Sequence, residues 1–343
     1  MSQLIKDALA RVVDRQNLSS DEMANVVGLF MDGAATPAQI GALLTALRMK
    51  GETVDEVVGA AQAMRSRMTR VIYDAPVMVD TCGTGGDGSG SVNVSTLAAF
   101  VVAACGVPVA KHGNRALSSR SGSHDVIEAL GINPAPTPEL AHTCLREVGL
   151  AFLFAPTYHA ATKAVGAARR EIGFRTLFNL LGPLTNPAGA RHHLNGVFAE
   201  NRVRFLAEAH QMLGAKAAFV VHGADGLDEI ATSGKTHVAE LRDGKVKCFE
   251  IGPSDFGLEE FDPKGLAGDT PDVNARLLLA SISGSPGAYR AAAVMSAAAA
   301  VFVAGKADTL FQSARLCEQA IDSGRALATL ERLAQVAPHV ATT

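Results

Sequence analysis

The spacing of apolar residues divides the chain into two regions. Over the first seventy residues, apolar positions recur every three or four residues, as at Leu4, Ala8 and Val12, which is typical of amphipathic helices. Three capping-box patterns predict helix starts, at Ser19 with Glu22, Thr36 with Gln39, and Thr53 with Glu56. This part of the chain is therefore predicted to form a small helical bundle that ends near Arg70.

After the bundle, short apolar runs alternate with helical segments. PVMVD is followed by STLAAFVVAACG and VPVAKHG by SHDVIEALG, and AAFVVHG is a third apolar run. This alternation predicts a mostly parallel sheet with helices on both faces. The last seventy residues contain three alanine-rich helical segments closed by glycines, which we expect to cover the sheet. The predicted fold is α/β, with a small α-helical domain at residues 1–72 and a large α/β domain at residues 73–343.

Composition narrows the functional classes. The 343 residues include 31 Lys+Arg and 34 Asp+Glu, a net charge of -3 without a long basic run, so a small ligand is favoured over nucleic acid. The five cysteines form no CxxC pair, which argues against a zinc site or a disulfide framework and predicts buried thiols. The most apolar run, AAAVMSAAAAVFVAG, is too short to span a bilayer, and the first residues lack a secretory pattern. We therefore expect a cytoplasmic protein without a membrane partner.

The first candidate binding motif is the glycine-rich stretch DTCGTGGDGSGSVNVST, which runs from a predicted strand into a predicted helix. Bare backbone amides and a helix N-terminus together form an anion site in α/β folds. Small polar side chains add further donors, at Ser91, Asn93, Ser95 and Thr96. The stretch is predicted to bind phosphate or pyrophosphate.

Two common phosphate motifs do not fit this stretch. Gly83, Gly85 and Gly88 satisfy GxGxxG, but no acid lies between Asp87 and Asp125, where a dinucleotide fold needs one about 20 residues further on. The loop also lacks the lysine of a Walker A motif.

A second loop, KHGNRALSSRSGSHD, gathers cations and hydroxyls after another predicted strand. Its candidate ligands are Lys111, Arg115, Ser118, Ser119 and Ser123. Such a lining suits a phosphorylated substrate, although a solvated loop is the alternative interpretation.

The third motif, VVHGADGLDE, places Asp225, Asp228 and Glu229 after an apolar strand. Mg²⁺ prefers such oxygen ligands and shares them with substrate phosphates. The alternative is an acidic surface turn.

The fourth motif, RREIGFRTLFNLLGPLTNP, combines Arg169 and Arg170 with an apolar segment broken by prolines. A guanidinium beside an apolar pocket suits an aromatic carboxylate. Surface ion pairs are the alternative, above all for Arg170.

These four motifs, in this order after a helical bundle, resemble the anthranilate phosphoribosyltransferases of tryptophan biosynthesis, over nearly the whole chain. The resemblance implies a homodimer whose small domain also includes helices within about residues 160–185. It implies Mg²⁺-dependent transfer of the phosphoribosyl group of 5-phosphoribosyl 1-pyrophosphate (PRPP) to the amine of anthranilate.

The resemblance also implies roles for individual residues. PRPP would be bound by Gly83, Gly86, Asp87, Ser91, Asn93, Val94, Ser95, Thr96, Lys111, Asn114, Arg115, Ser118, Ser119 and Ser123. Anthranilate would meet Gly83, His112, Asn114, Arg169 and Pro183, and the metal would be held by Ser95, Asp228 and Glu229. Because the aryl amine is neutral at pH 7, we expect no strong general base, and catalysis by positioning and electrostatics.

The chain departs from the family pattern at two places. The family usually has His-Pro-Ala-Met where this chain has His159, Ala160, Ala161 and Thr162, and it commonly has alanine where this chain has His124. The first change is expected to alter the fit of the aromatic ring.

Two alternative functions stay open: a pyrimidine nucleoside phosphorylase on the same scaffold, and a non-enzymatic relative that binds nucleic acid. The paired acids argue against the first, and the net charge of -3 argues against the second.

Overall fold

The N-terminal region folds into four helices, and three of them begin where the capping boxes predict. The computed structural model describes residues 2–85, 90–114 and 121–339. The first four helices are α1 (Ser2–Val13), α2 (Ser20–Met31), α3 (Pro37–Lys50) and α4 (Val54–Arg65). Both hydrogen bonds of the box are present at Ser19, Thr36 and Thr53, so these three predicted helix starts are confirmed.

A mixed sheet forms the centre of the larger part of the molecule. Its strands are β1 (Val79–Asp80), β2 (Val109–Gly113), β3 (Leu150–Phe154), β4 (His192–Gly196), β5 (Ala217–Gly223), β6 (Thr236–Arg242) and β7 (Lys245–Ile251). Within the described residues their order is β3-β2-β1-β4-β5-β6-β7. The first five strands run parallel, and β6 and β7 are antiparallel. The predicted mostly parallel sheet is confirmed.

Helices cover the sheet on both faces. The helices that follow the bundle in the chain are α5 (Val94–Ala104), α6 (Ser123–Ala129), α7 (Pro138–Val148), α8 (Ala155–Tyr158), α9 (Lys163–Ile172), α10 (Val203–Met212), α11 (Pro271–Ile282), α12 (Ala288–Val303), α13 (Leu310–Asp322) and α14 (Arg325–Val336). The three alanine-rich segments form α11, α12 and α13, and the glycines that follow them have positive φ. Almost all of α12 is buried against α5, β4 and β5. Across the described residues, none of the helices combines the length and the apolar character needed to cross a membrane.

Two clusters of buried apolar side chains form the cores. One fills the space between the sheet and its covering helices. The other joins α1 to α4 with later parts of the chain, including Val165 and Ala168 of α9 and Leu177 and Leu184 beyond it. The segment after α8 thus returns to the N-terminal bundle, where α9 packs on α2 and α3.

The cysteines differ in exposure. Cys82, Cys144 and Cys317 are buried, Cys105 is partly exposed, and Cys248 is exposed. The prediction of buried thiols is therefore wrong for Cys248, because it lies on the outer strand β7, where most side chains face solvent. All five are free thiols.

Candidate active site

Several of the predicted site residues that the structure describes lie at the carboxyl ends of the parallel strands. The glycine-rich stretch follows β1, Asn114 follows β2, and Asp228 and Glu229 follow β5. In the sheet, β1 lies between β2 and β4. The next strands of the chain, β2 and β3, are added on one side of β1, and the strands from β4 onward are added on the other side. Ligands of open α/β sheets bind at such a switch point.

The start of the glycine-rich stretch is attached to β4 and to Asp228. The Thr84 amide donates to the Gly196 carbonyl at 2.8 Å, and the Thr84 hydroxyl accepts the Phe198 amide at 3.2 Å. One residue further on, the Gly85 amide donates to Asp228 Oδ2 at 2.8 Å. A carboxylate from the end of β5 therefore fixes the backbone of the loop.

Bare backbone is required around Asp228. A Cβ at Gly83 would lie 3.1 Å from Asp228 Oδ2, and one at Gly196 would lie 1.5 Å from the Asp228 carbonyl oxygen. No side chain fits at Gly196 without displacing Asp228. These two glycines allow the loop after β1, the end of β4 and the acidic segment to meet.

The three residues implied for metal binding share one small cavity. Ser95, Asp228 and Glu229 line a space of about 10 Å³, together with Thr81 and Ser296. This volume corresponds to roughly one water molecule or ion, and hydroxyl and carboxylate oxygens are ligands that Mg²⁺ accepts. The Ser296 hydroxyl of α12 donates to Glu229 Oε2 at 3.4 Å. The donor set and the size of the space therefore fit a small hard cation.

Asp225, the third acid of this motif, lies outside that cavity. It is exposed, and its Oδ1 accepts the Leu227 amide at 3.2 Å. A Cβ at Gly223 would lie 2.3 Å from the same oxygen. Asp225 therefore shapes the turn after β5, as in the alternative interpretation of this motif.

Lys111 and the start of α5 lie beside the cavity. Lys111 is 2% exposed, and its Nζ donates to the Thr81 carbonyl at 3.0 Å and to Ser95 Oγ at 3.1 Å. Asn93 is held by the Asn274 amide at 3.2 Å and by the Tyr289 hydroxyl at 3.1 Å. The N-terminus of α5 is thus positioned by α11 and α12.

The other residues predicted to bind PRPP fall into two groups. Gly86, Asp87, Arg115, Ser118 and Ser119 lie outside the described residues. Ser91 pairs with Ala267 in an isolated bridge, and Ser123 is the first residue of α6. Val94 and Thr96 are buried in the first turn of α5.

The predicted anthranilate residue His112 is joined by one hydrogen bond to the residue before Pro183. His112 Nδ1 lies 2.9 Å from the carbonyl oxygen of Gly182, next to the buried Pro183. The ring centre of His159 lies 5.1 Å from that of His112. Burial, together with its histidine neighbours, lowers the pKa of His112 to about 3, and burial lowers the pKa of His159 to about 4. Both rings are therefore neutral at pH 7 and poor bases.

Arg169 approaches from the helical bundle. It lies in the last turn of α9, half-buried, with its guanidinium carbon 5.2 Å from the ring centre of Phe178. Phe178 belongs to the segment that leads to Pro183. Among the described residues no carboxylate pairs with Arg169, and burial lowers its pKa. Arg170 is exposed.

Asp80 is the main site residue that the sequence analysis missed. It is fully buried and accepts the His112 amide at 3.1 Å and the Asn186 side-chain amide at 2.8 Å. Burial raises the pKa of Asp80 to about 7, against the opposing effects of Asn186 and Lys111. An acid that ends an apolar strand was a signal, but no local pattern joins it to Asn186.

The His124 departure is accommodated by a glycine. The His124 ring is buried 4.6 Å from the ring centre of Phe154. A Cβ at Gly113 would lie 3.2 Å from His124 Cε1. The ring therefore packs on the bare end of β2 beside the site.

Comparisons with known proteins agree with this architecture. Two family models match: the helical bundle domain of the glycosyl transferase family at residues 6–68, and the a/b domain of that family at residues 75–327. The chain is 52% identical over 331 residues to the anthranilate phosphoribosyltransferase of Rhodopseudomonas palustris (strain HaA2), covering 96% of this chain and 98% of the relative.

Solved structures show the same fold. The crystal structure of anthranilate phosphoribosyltransferase from Thermus thermophilus superposes with a TM-score of 0.91 at 39% identity, covering 96% of this chain and 99% of that one. The Saccharomyces cerevisiae enzyme in complex with PRPP and Mg gives a TM-score of 0.89 at 28% identity, with 98% of both chains covered. The chain therefore belongs to the glycosyl transferase family that these models describe, and within it to the anthranilate phosphoribosyltransferases.

Proposed function

We propose that this chain transfers the phosphoribosyl group of PRPP to the amine of anthranilate, with Mg²⁺, and releases pyrophosphate and N-(5-phosphoribosyl)anthranilate. This is the activity in the name of its 52% identical relative. One observation carries the proposal: Asp228 binds the amide of Gly85 and also lines the small cavity with Ser95 and Glu229. A phosphate loop and a cation site meet at this carboxylate.

PRPP, the phosphoribosyl donor, would be held by backbone amides and fixed polar groups. Amides of the glycine-rich stretch and the N-terminus of α5 favour an anion, and the Lys111 ammonium is already oriented beside Ser95. Ser95, Asp228 and Glu229 would hold Mg²⁺, which would supply positive charge to the departing pyrophosphate. Such groups need no rearrangement when charge develops on the leaving group.

The acceptor end would be held by Arg169 and the segment around Pro183. The guanidinium would bind the carboxylate of anthranilate, and the neutral rings of His112 and His159 would contact the aromatic amine. Since the amine needs no prior deprotonation, orientation is the main requirement. Holding two reactants in line contributes about 7 to 11 kcal/mol at best.

The two substrates would be brought together by the two parts of the molecule. Arg169 lies on α9, which packs on α2 and α3, whereas Asp228 follows the sheet strand β5. We propose the same division as from the sequence: a small domain of residues 1–72 completed by helices within about 160–185, and a large domain in the remainder of 73–343. The packing of Val165, Ala168 and Leu177 into the core of the bundle supports the inclusion of this segment; the same core extends to Leu206 of α10 and Val220 of β5.

The family resemblance further implies a homodimer. Leu4 and Val13 of α1 and Met49 of α3 are exposed apolar residues of the bundle, and α1 packs on α3. We propose that two copies pair through this face. Light scattering of the purified protein should give twice the chain mass, and Met49→Glu should shift it toward the monomer.

The activity is tested by following anthranilate fluorescence after mixing the protein with anthranilate, PRPP and Mg²⁺. We expect a loss of fluorescence that EDTA stops. A parallel reaction with uridine or thymidine and phosphate tests the phosphorylase alternative. Phosphorolysis without anthranilate consumption would overturn the proposal.

A further inference from the structure

A cavity of about 470 Å³ lies away from the candidate active site. It is lined by Arg191 and His193 at the amino end of β4 and by the linker residues 71–73. The candidate active site lies at the other end of the same strand, beyond Gly196, and five strand residues span about 15 Å. This space is therefore separate from the PRPP and anthranilate positions proposed above.

The lining of this cavity is cationic. It contains Arg65, Arg70 and Arg191, and no Asp or Glu is among its described residues. None of these three arginines has a carboxylate partner within the described part of the chain. By contrast, Arg67 pairs with Asp32 at 2.7 Å and Arg202 with Glu52 at 2.8 Å. The positive charge of the cavity is thus uncompensated by the residues that the structure describes.

Two of the arginines are held with part of the guanidinium unused. Arg65 donates from Nε to the Leu184 carbonyl at 2.7 Å and from Nη1 to the Leu213 carbonyl at 3.2 Å. Arg191 donates from Nε and Nη2 to the Gly214 carbonyl at 3.1 Å and 2.9 Å. Burial and the charge of Arg70 lower the pKa of Arg65, and an anion bound here would offset both effects.

His193 adds an independent observation. Its side chain is 1% exposed and lines the cavity, and neither ring nitrogen has a hydrogen-bond partner in the described residues. Burial and the neighbouring His210 lower the pKa of His193. The nearby Ala190 carbonyl has a smaller, opposite effect on this pKa, but it makes no hydrogen bond to the ring. The neutral ring keeps one N–H donor, and a buried donor without a partner is destabilising.

The rest of the lining is apolar and selects among anions. Met68, Val71, Ile72, Tyr73 and Leu213 form this part. Inorganic phosphate is far smaller than the cavity and would leave these side chains against water. An α-ammonium group would find no carboxylate among the described lining residues. The lining therefore favours an anion with an apolar body and without an amine.

We propose that this cavity binds a small organic carboxylate, with the carboxylate between Arg65, Arg70 and Arg191 and the His193 ring, and the apolar body against Tyr73 and its neighbours. Cavities of about 300 to 1,000 Å³ are typical of small-molecule sites. The two family models meet on either side of the linker that lines it.

The position of the cavity connects it to the candidate active site. Arg65 belongs to α4 of the helical bundle, and the Leu184 carbonyl that it binds belongs to the turn that contains Pro183. Asn186 lines the cavity and also donates to Asp80. A bound carboxylate would therefore contact the groups that orient the proposed acceptor position.

The test is ¹⁹F NMR of the full-length protein with 3-(4-fluorophenyl)propionate. L-4-fluorophenylalanine, which differs by its α-ammonium group, is the matched control ligand, and inorganic phosphate is a competitor. Because an aromatic carboxylate also suits the proposed acceptor position, Arg169→Ala is the reference protein. It is expected to keep binding at the cavity.

In the Arg169→Ala background, we expect Arg70→Ala and Arg191→Ala each to weaken the propionate by at least about tenfold, or 1.4 kcal/mol. Both side chains are exposed, so the fold should persist. The amino acid and phosphate should not displace the propionate. Unchanged affinity in both variants, equal binding of the amino acid, or no binding at about 10 mM would each overturn the proposal. Binding does not depend on the proposed reaction, so this test is separate from the activity assay.

Discussion

The carboxylate of Asp228 accepts the backbone N–H of Gly85 at 2.8 Å, while the carbonyl oxygen of Asp228 occupies the position that a side chain at Gly196 would need. The chain around Asp228 is therefore fixed on both sides, by the loop after β1 and by the end of β4. Mutations at these contacts should affect the candidate site before they affect the rest of the fold.

The first prediction concerns Gly196→Ala. Its Cβ would lie 1.5 Å from the Asp228 carbonyl oxygen, so the acidic segment must move. We expect kcat to fall by at least about a hundredfold, which corresponds to roughly 2.7 kcal/mol in the barrier. Gly41→Ala is the control, because nothing lies within 4 Å of a Cβ there, and it should keep normal turnover. Full activity of Gly196→Ala would contradict the arrangement.

The second prediction concerns the metal. Asp228→Asn combined with Glu229→Gln should abolish Mg²⁺-dependent turnover, because both carboxylates line the small cavity with Ser95. Circular dichroism should show an intact fold. Asp225→Asn is the matched control, since Asp225 is exposed and lies outside the cavity. If the double variant kept its response to Mg²⁺ titration, these acids would not hold the metal.

The third prediction separates two adjacent arginines. Arg169→Ala should raise the KM for anthranilate by at least about tenfold with a much smaller change in the KM for PRPP, since one lost charge-assisted hydrogen bond costs about 1.5 to 3 kcal/mol. Arg170→Ala should change neither, because Arg170 is exposed. Steady-state kinetics with each substrate varied in turn measure the two KM values. Equal effects on both KM values would remove Arg169 from the acceptor position.

The fourth prediction concerns stability in acid. The pKa values of His112 and His210 fall to about 3 and that of His159 to about 4, against an ordinary value of 6.5. At pH values between these lowered pKa values and 6.5, the histidines are protonated in the unfolded chain but not in the folded chain. The free energy of unfolding therefore falls as pH falls below 6.5. Asp80, with its pKa raised to about 7, acts in the opposite direction between about 3.8 and 7, but one acid is outweighed by three histidines.

Urea unfolding between pH 6.5 and 4.5 measures this slope. His210→Gln should reduce it by about one proton, or roughly 1.4 kcal/mol per pH unit, and Asp80→Asn should make it steeper. Slopes that do not change, or change with the opposite signs, would contradict the prediction.

Local signals predicted the helical bundle and the loops after β1, β2 and β5. The capping boxes at Ser19, Thr36 and Thr53 are short-range patterns, and each formed. The metal residues were implied by the resemblance, and the structure brings Ser95 and Glu229 together although they are far apart in the chain.

Three further features were not predicted from the sequence. The strand β4 has the sequence HHLNG, in which His193 and Asn195 are buried polar residues, so it lacked the apolar run that marked β5. The hairpin of β6 and β7 turns at Asp243 and Gly244, both with positive φ, and this Asp-Gly pair is the local signal for the turn. The cavity around Arg65 depends on contacts between distant segments, which no local spacing encodes.

The outer position of β7 has a consequence for handling the protein. Lys245 and Lys247 lie on this edge, and charged side chains on an edge strand disfavour pairing with a strand of another molecule. Aggregation through this edge is therefore opposed by the sequence itself. The same strand exposes the Cys248 thiol, so oxidation is the route by which two molecules would be linked here, and a reducing buffer protects the purified protein from covalent dimers.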